Sequence, residues 1–250
     1  MINYKRNIFL NTGKRLLRNF RDFIYPSLCV LCSDPFKEGN EWFCAECKGK
    51  LEKNRTERDA CPRCSHNRKI EKCTCNIVWD HYFETIFSLF DFDETVQHIA
   101  HQIKYKGKKS LAYHMGNYYA SIIPNSFFDN IEGILPVPLH FIRKMKRGYN
   151  QAEFFARGII NGIDHNLPYL NNVLIRVKNT KTQTKLDKEE RQKNLSNAFT
   201  VNSKNSAYIN GKRLILIDDV VTTGATTDLC TRVLIDAGAR AVRVISLART

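Results

Sequence analysis

The residues with the clearest capacity for chemistry stand together between Leu214 and Thr227, in the run LILIDDVVTTGATT. Four apolar residues, Leu214 to Ile217, lead into the adjacent carboxylates Asp218 and Asp219, and after two valines come Thr222, Thr223, Gly224, Ala225 and Thr226. Two carboxylates side by side repel unless a diol, a metal ion or a cation lies between or beside them. The pair is therefore read as a seat for a ribose or a magnesium ion. The small residues after it carry no bulk, and Gly224 lets the backbone turn so that successive N–H groups point at one spot. A helix starts there, with Leu229, Cys230, Val233, Leu234 and Ala237 on one face and Gly238 as its stop, and its amino end adds positive potential. A phosphate fits that turn. No G-x-x-x-x-G-K-[ST] occurs in the chain, which disfavours a P-loop nucleotide site.

A second constellation lies near the amino end, where residues 29 to 75 hold eight of the nine cysteines. Cys29-x-x-Cys32 and Cys44-x-x-Cys47 are separated by eleven residues, the knuckle spacing that brings four thiolates around one tetrahedral zinc. Cys61-x-x-Cys64 and Cys73-x-Cys75 repeat the idea with a shorter second half and with Ser65 where glycine is common, so one or two zinc ions are expected. His66 or His81 could replace a ligand in the second set. Four cysteines leave no open position, so this zinc is structural. Disulfides are the other use of such a set, and no secretory signal supports them. Cys230, on an apolar helix face, reads as core.

These residues need elements to position them. Leu214 to Ile217 are too continuously apolar for a half-exposed strand and read as the centre of a parallel sheet, whose ligands sit at the carboxyl ends of the strands. Further strands are expected from His81 through the aromatic run to Phe92, at Ile131 to Val137, and at Ala241 to Leu247. Asp93 can cap a helix bearing Val96, Ile99, Ala100 and Ile103, which runs out into Lys104, Tyr105, Lys106, Lys108 and Lys109. A helix from Leu111 to about Ile123 would place Leu111, Met115, Tyr118, Tyr119 and Ile122 on one side. Pro136 and Pro138 end their strand before His140. Arg143, Lys144, Lys146 and Arg147 then run into Gly148 and a helix carrying Ala152, Phe155, Ala156, Ile159 and Ile163, a second anion site. Residues 176 to 199 are long, polar and uneven, as functional loops are.

The chain has 250 residues and a formal net charge of +14. Two thiolate-bound zinc ions would bring the charge to about +10, still basic enough to favour phosphorylated ligands, nucleic acid or an anionic membrane face. No apolar run reaches the roughly 18 residues of a membrane span. The division expected is an amphipathic helix in residues 1–25, cysteine ribbons in 26–78 and an α/β domain in 79–250. That helix, with Leu16, Leu17, Phe20, Phe23 and Ile24 on one face, would pack on its own protein or touch anionic lipid.

The strand, Asp-Asp and Thr-Thr-Gly-Ala-Thr run resembles the phosphoribosyl pyrophosphate (PRPP) motif of type I phosphoribosyltransferases. Together with the cysteine pairs, IKYKGK at 103 to 108, PVPLH with RKMKRGYNQA, the loop bearing Gln183, Leu186, Glu190, Arg191, Asn194 and Phe199, and the terminal VRVISLART, nearly the whole chain resembles the competence protein F (ComF) family. Departures are the short Cys73-x-Cys75 half and Lys185, where a small residue is common. The resemblance implies a mainly parallel twisted sheet flanked by helices with a small zinc-ribbon domain. It implies that Asp218 and Asp219 hold ribose hydroxyls, that residues 222 to 226 cradle the 5-phosphate, and that Pro138, Leu139, His140 and Arg147 face a pyrophosphate accompanied by magnesium. Closure of the long loop would bring Gln183, Lys185, Arg191 or Asn194 to the reacting centre. A role with incoming single-stranded DNA and DNA-uptake proteins at the cytoplasmic side of the membrane is implied as well, whether as a phosphoribosyltransferase, as a non-enzymatic protein that handles single-stranded nucleic acid, or as a PRPP-sensing regulator. Trp42, Phe43, Tyr105 and Tyr149 are the aromatics that could stack on its bases.

Overall fold

A computed structural model describes residues 27–36, 42–56, 61, 63–64, 81–177 and 198–250. The helix expected within 1–25 lies outside these residues. The chain forms two units, Met1–Lys53 and Asn54–Thr250.

In the first unit β1 (Ser27–Leu28) pairs antiparallel with β2 (Pro35–Phe36), Ser27 opposite Phe36. The connection carries Cys29 and Cys32 and closes at Ser33, whose N–H donates to the Cys29 carbonyl at 2.9 Å. Helix α1 (Ala45–Lys53) follows Cys44 and buries Cys47 and Leu51. Glu46 in its first turn and Lys50 and Lys53 in its last complement the helix dipole.

The second unit runs β3 (Ile86–Asp91), α2 (Glu94–Tyr105), α3 (Lys109–Tyr119), β4 (Gly133–Pro136), α4 (Phe141–Arg147), α5 (Gln151–Gly162), β5 (Leu174–Arg176), β6 (Phe199–Val201), β7 (Arg213–Val221), α6 (Ala225–Asp236) and β8 (Ala241–Arg249). Strands β3, β8, β7 and β4, in that order, make a parallel sheet. The central strands β7 and β8 are buried along almost their whole length, as continuous apolar runs require. Alternation along β7 sends Leu214 and Leu216 to a core shared with Cys230 and Leu234 of α6 and with Leu174 and Phe199 of the β5–β6 hairpin. Helix α5 packs against β4 and β7 on the other face. Among the described residues no helix is long and apolar enough to cross a membrane.

Helix α2 starts where expected, the Asp93 carboxylate accepting the Val96 N–H at 2.8 Å. Helix α3 departs from expectation, because Ala112, Met115, Gly116 and Tyr119 are buried while Tyr118 stays 40% exposed. The cause is a close crossing with α5, in which a Cβ on Gly158 would overlap the Tyr113 carbonyl and one on Gly116 the Phe155 carbonyl. The basic stretch before Gly148 is itself helical. His140 caps this α4, its Nδ1 accepting the Ile142 N–H at 3.3 Å, and Gly148 ends it at φ 81°. Strand β7 also outruns its expected length, continuing to Val221 by pairing with β8. Strand β4 stops pairing at Pro136 opposite Ile217, so the two carboxylates lie within β7 just past the point where its other neighbour ends.

Candidate functional site

Asp219 is 8% exposed, and its Oδ2 lies 2.8 Å from Lys104 Nζ and 3.2 Å from Gln151 Nε2. Helix α2 brings Lys104 in its last turn, and α5 brings Gln151 at its first position. Gln151 in turn accepts from the guanidinium of Arg147, which lies over the ring of Tyr105 at 5.5 Å. Lys104, Asp219, Gln151, Arg147 and Tyr105 thus form one connected group at the carboxyl end of the sheet. The base of the group is tied down from both sides. Tyr149 donates its hydroxyl to the Ile103 carbonyl, and Asn150 Nδ2 donates to the Val137 carbonyl at 3.0 Å.

The electrostatics divide the two carboxylates. Burial pushes the Asp219 carboxyl up, but the charge and hydrogen bond of Lys104, aided by Asp218 and the Val220 N–H, hold it below the ordinary aspartate value. Burial also works against the Lys104 charge, yet the carboxylates of Asp219 and Asp218 carry it above the ordinary lysine value. For Asp218, burial and then the charge of Asp219 push the carboxyl well above its usual range. Its Oδ1 bends back to accept the Asp219 N–H at 2.8 Å. The Asp218 charge acts in turn on Arg176 of β5, favouring its guanidinium charge, and on Cys230 of α6, opposing a thiolate there. The two carboxyls are thus driven apart, Asp218 toward its neutral form and Asp219 toward its ionised form.

Beyond Val221 the chain makes the expected turn. Gly224 adopts φ 77° as the N-cap of α6, and its carbonyl accepts both the Thr227 hydroxyl and the Asp228 N–H at 2.8 Å. Thr222, Thr223 and Ala225 are exposed, and Thr226 is partly so. The first N–H groups of a helix have no intrahelical acceptor, so this exposed turn offers donors to an anion. His81 lies against it, its Cε1 3.2 Å from where a Cβ on Gly224 would stand, with Nδ1 3.6 Å from the Asp228 carboxylate. The sequence offered His81 as a zinc substitute; the fold sets it beside the turn at 222 to 226.

Pro138, Leu139 and His140 follow β4 and are half-buried, and Arg147 ends α4. Gln183, Lys185, Arg191 and Asn194 lie outside the described residues. The hairpin flanking their segment is defined, with the Val177 N–H donating to the Ala198 carbonyl at 2.8 Å and the Arg176 guanidinium 5.1 Å over the Phe199 ring. Cys230 is fully buried, and burial pushes its thiol well above the ordinary value, as a core residue requires. Sequence reasoning left Gln151, Arg176 and the direct Lys104–Asp219 pair unassigned. Only the basic cluster around Lys104 gave a signal.

In the first unit the sulfur atoms of Cys29, Cys32, Cys44 and Cys47 all lie within 4.8 Å of one another. Tetrahedral zinc with Zn–S bonds of about 2.3 Å sets sulfurs roughly 3.8 Å apart, and Cys32 Sγ and Cys44 Sγ are separated by 3.8 Å. The set fits a tetrahedral thiolate-bound ion and is consistent with zinc. Cys61 and Cys64 are buried in the second unit, in the hydrophobic cluster with Phe83 and Ile86, and Cys73 and Cys75 fall outside the described residues.

Residues 126–250 match the phosphoribosyl transferase domain family. Competence protein F of Haemophilus influenzae is 41% identical over 119 residues, 47% of this chain and 50% of that protein, so this match spans half the relative's length. DNA utilization protein YhgH of Escherichia coli strain K12 is 25% identical over 231 residues, 90% of this chain and 98% of that protein. Competence protein ComFC of Bacillus subtilis is 26% identical over 233 residues, 86% of this chain and 91% of that protein. The type I phosphoribosyltransferase arrangement of a parallel four-stranded sheet between helices accords with these matches. The chain belongs to the phosphoribosyl transferase domain family, as a homologue of competence protein F, ComFC and YhgH.

Proposed function

We propose that this chain binds PRPP at the carboxyl end of β7 and serves the use or uptake of DNA. The observation that carries the reading is the meeting of an ionised, buried Asp219 with an exposed helix-capping turn at residues 222 to 226, inside a domain of the matching family. The 5-phosphate would rest on that turn, the ribose hydroxyls on Asp218 and Asp219, and the pyrophosphate against Pro138, Leu139, His140 and Arg147. Magnesium, arriving with the ligand, supplies further positive charge at the pyrophosphate. As an enzyme the protein would let a nitrogen nucleophile attack the anomeric carbon while the bond to pyrophosphate breaks and the leaving oxygen keeps the electron pair. Positioning and cationic stabilisation would lower the barrier, with Gln183, Lys185, Arg191 and Asn194 as candidates at the reacting centre. The cysteine sets would hold one or two structural zinc ions. The names of the relatives support the DNA role, which would be exercised in the cytoplasm, at the inner face of the membrane during uptake.

One observation favours a second reading, a single-strand-binding surface that keeps the fold as a scaffold. Tyr105 and Phe141 are each 68% exposed and stand among lysines and arginines, as base-stacking platforms do. Phe43 and Tyr149, considered for stacking on sequence grounds, are buried and unavailable. Isothermal titration of the zinc-loaded protein with PRPP and magnesium, and separately with single-stranded DNA at two salt concentrations, separates the readings. Saturable PRPP binding supports the first. Salt-dependent DNA binding with no PRPP affinity would replace it with the second.

A further inference from the structure

Resting on the PRPP reading, we propose that Lys104 is a positioning residue for the phosphorylated pentose: its ammonium takes the place at Asp219 that a divalent cation would otherwise fill, and keeps that carboxylate turned to receive sugar hydroxyls. An acidic pair at a strand end calls either for a metal or for a diol with a cation nearby. Here the cation is built in. Lys104 Nζ stands 2.8 Å from Asp219 Oδ2, and its side chain is 26% exposed. Gln151 Nε2 approaches the same oxygen at 3.2 Å. Two donors from two helices on one carboxylate oxygen fix the plane of the carboxylate without a metal.

Lys104 does not stand alone. The groups facing the pair are Gln151 from α5, Arg147 from the end of α4 and Asp218 from the same strand, and Arg147 and Lys104 repel each other. Arg147 is held off by Gln151 and by the Tyr105 ring. The two cations are therefore divided between tasks: Lys104 serves the sugar carboxylate and Arg147 remains for the leaving phosphate groups. A methionine at position 104 keeps the length of the side chain and removes the charge, leaving Asp219 buried without its cation. Its carboxyl would then take up a proton at a higher pH than in the wild type.

The distinction is read with ribose 5-phosphate, which lacks the pyrophosphate that brings magnesium to PRPP. Isothermal titration of zinc-loaded wild-type protein is expected to give the same affinity in magnesium-free buffer without chelator as in magnesium, within about twofold. Lys104→Met is expected to bind ribose 5-phosphate about tenfold or more weakly at neutral pH, a change of roughly 1.4 kcal/mol. That deficit should widen as the pH is lowered through a range where the wild type is flat, and Lys104→Arg should recover most of the affinity. A wild-type affinity that rises tenfold with magnesium would overturn the inference by putting a metal at Asp219, and needs no variant. A folded Lys104→Met protein with wild-type affinity and pH profile would overturn it too, while leaving PRPP binding standing. If wild-type protein binds neither ribose 5-phosphate nor PRPP, the sugar-phosphate reading itself falls.

Discussion

Asp218 and Asp219 are consecutive in β7 yet carry opposite burdens: Asp219 faces the Lys104 ammonium at 2.8 Å, whereas Asp218 folds its Oδ1 back onto the Asp219 N–H at 2.8 Å. Period-two alternation of a strand separates their neighbours. The first carboxyl is pushed toward its neutral form and the second is held ionised.

Their removal should therefore differ in cost. Asp219→Asn leaves the Lys104 charge without its partner and is expected to destabilise the protein by about 1.5–3 kcal/mol, the range for hydrogen bonds to charged groups. Asp218→Asn removes a carboxyl that burial and Asp219 push toward its neutral form, so at neutral pH it should not destabilise the protein. Urea unfolding at neutral pH reads both. Equal losses in the two variants would show that the carboxyls are not divided in this way.

The same division gives each carboxyl its own pH signature. The folded pKa of Asp219 is depressed, so its stabilisation is complete above the unfolded value of about 4 and is lost as pH falls through the folded value. That of Asp218 is raised, so the folded state binds the extra proton and this group costs stability as pH rises from about 4 toward its folded value. The stability of Asp218→Asn relative to wild type should accordingly grow with pH across that window. Urea midpoints that run parallel from pH 4 to 7 would contradict the assignment.

Gly224→Ala should disturb the turn proposed to hold phosphate in two ways. A side chain at φ 77° is strained by about 1–2 kcal/mol, and its Cβ would stand 3.2 Å from His81 Cε1. A lower melting temperature and weaker PRPP binding are expected together, and combining the change with His81→Ala should relieve the contact but not the backbone strain. Full recovery in the double variant would mean that crowding alone requires the glycine.

The cysteine set of the first unit has a direct count attached. Replacing Cys32 and Cys44 by serine removes two of four ligands and should lower bound zinc by about one equivalent, read by elemental analysis of purified protein. Unchanged zinc content would place the metal elsewhere.

Much of the site is legible in the amino-acid sequence. The LILI run, the Asp-Asp pair and the glycine turn each announce themselves locally, because strand burial, carboxylate repulsion and left-handed backbone leave composition signals within a few residues. The Asp93 cap and the cysteine knuckle are local in the same sense. What stays hidden depends on tertiary placement. Lys104 and Asp219 are far apart in the chain, and nothing in a lysine at a helix end tells which carboxylate it meets. The continuation of β7 to Val221 follows from pairing with β8 on one side only. The outward turn of Tyr118 follows from the glycine-to-carbonyl crossing of α3 and α5. His81 is legible as a ligand type but not as the neighbour of Gly224, because the fold brings together segments from opposite halves of the chain.

The turn at 222 to 226 is proposed to hold the 5-phosphate of PRPP, and phosphorus NMR reads that contact because the 5-phosphate and the pyrophosphate give separate resonances. The 5-phosphate resonance should shift and broaden on addition of wild-type protein. The effect should vanish with Thr223→Glu, which sets a carboxylate on the exposed turn without touching the core. A 5-phosphate resonance unmoved by wild-type protein, or moved equally by the Thr223→Glu variant, would rule out a 5-phosphate on this turn.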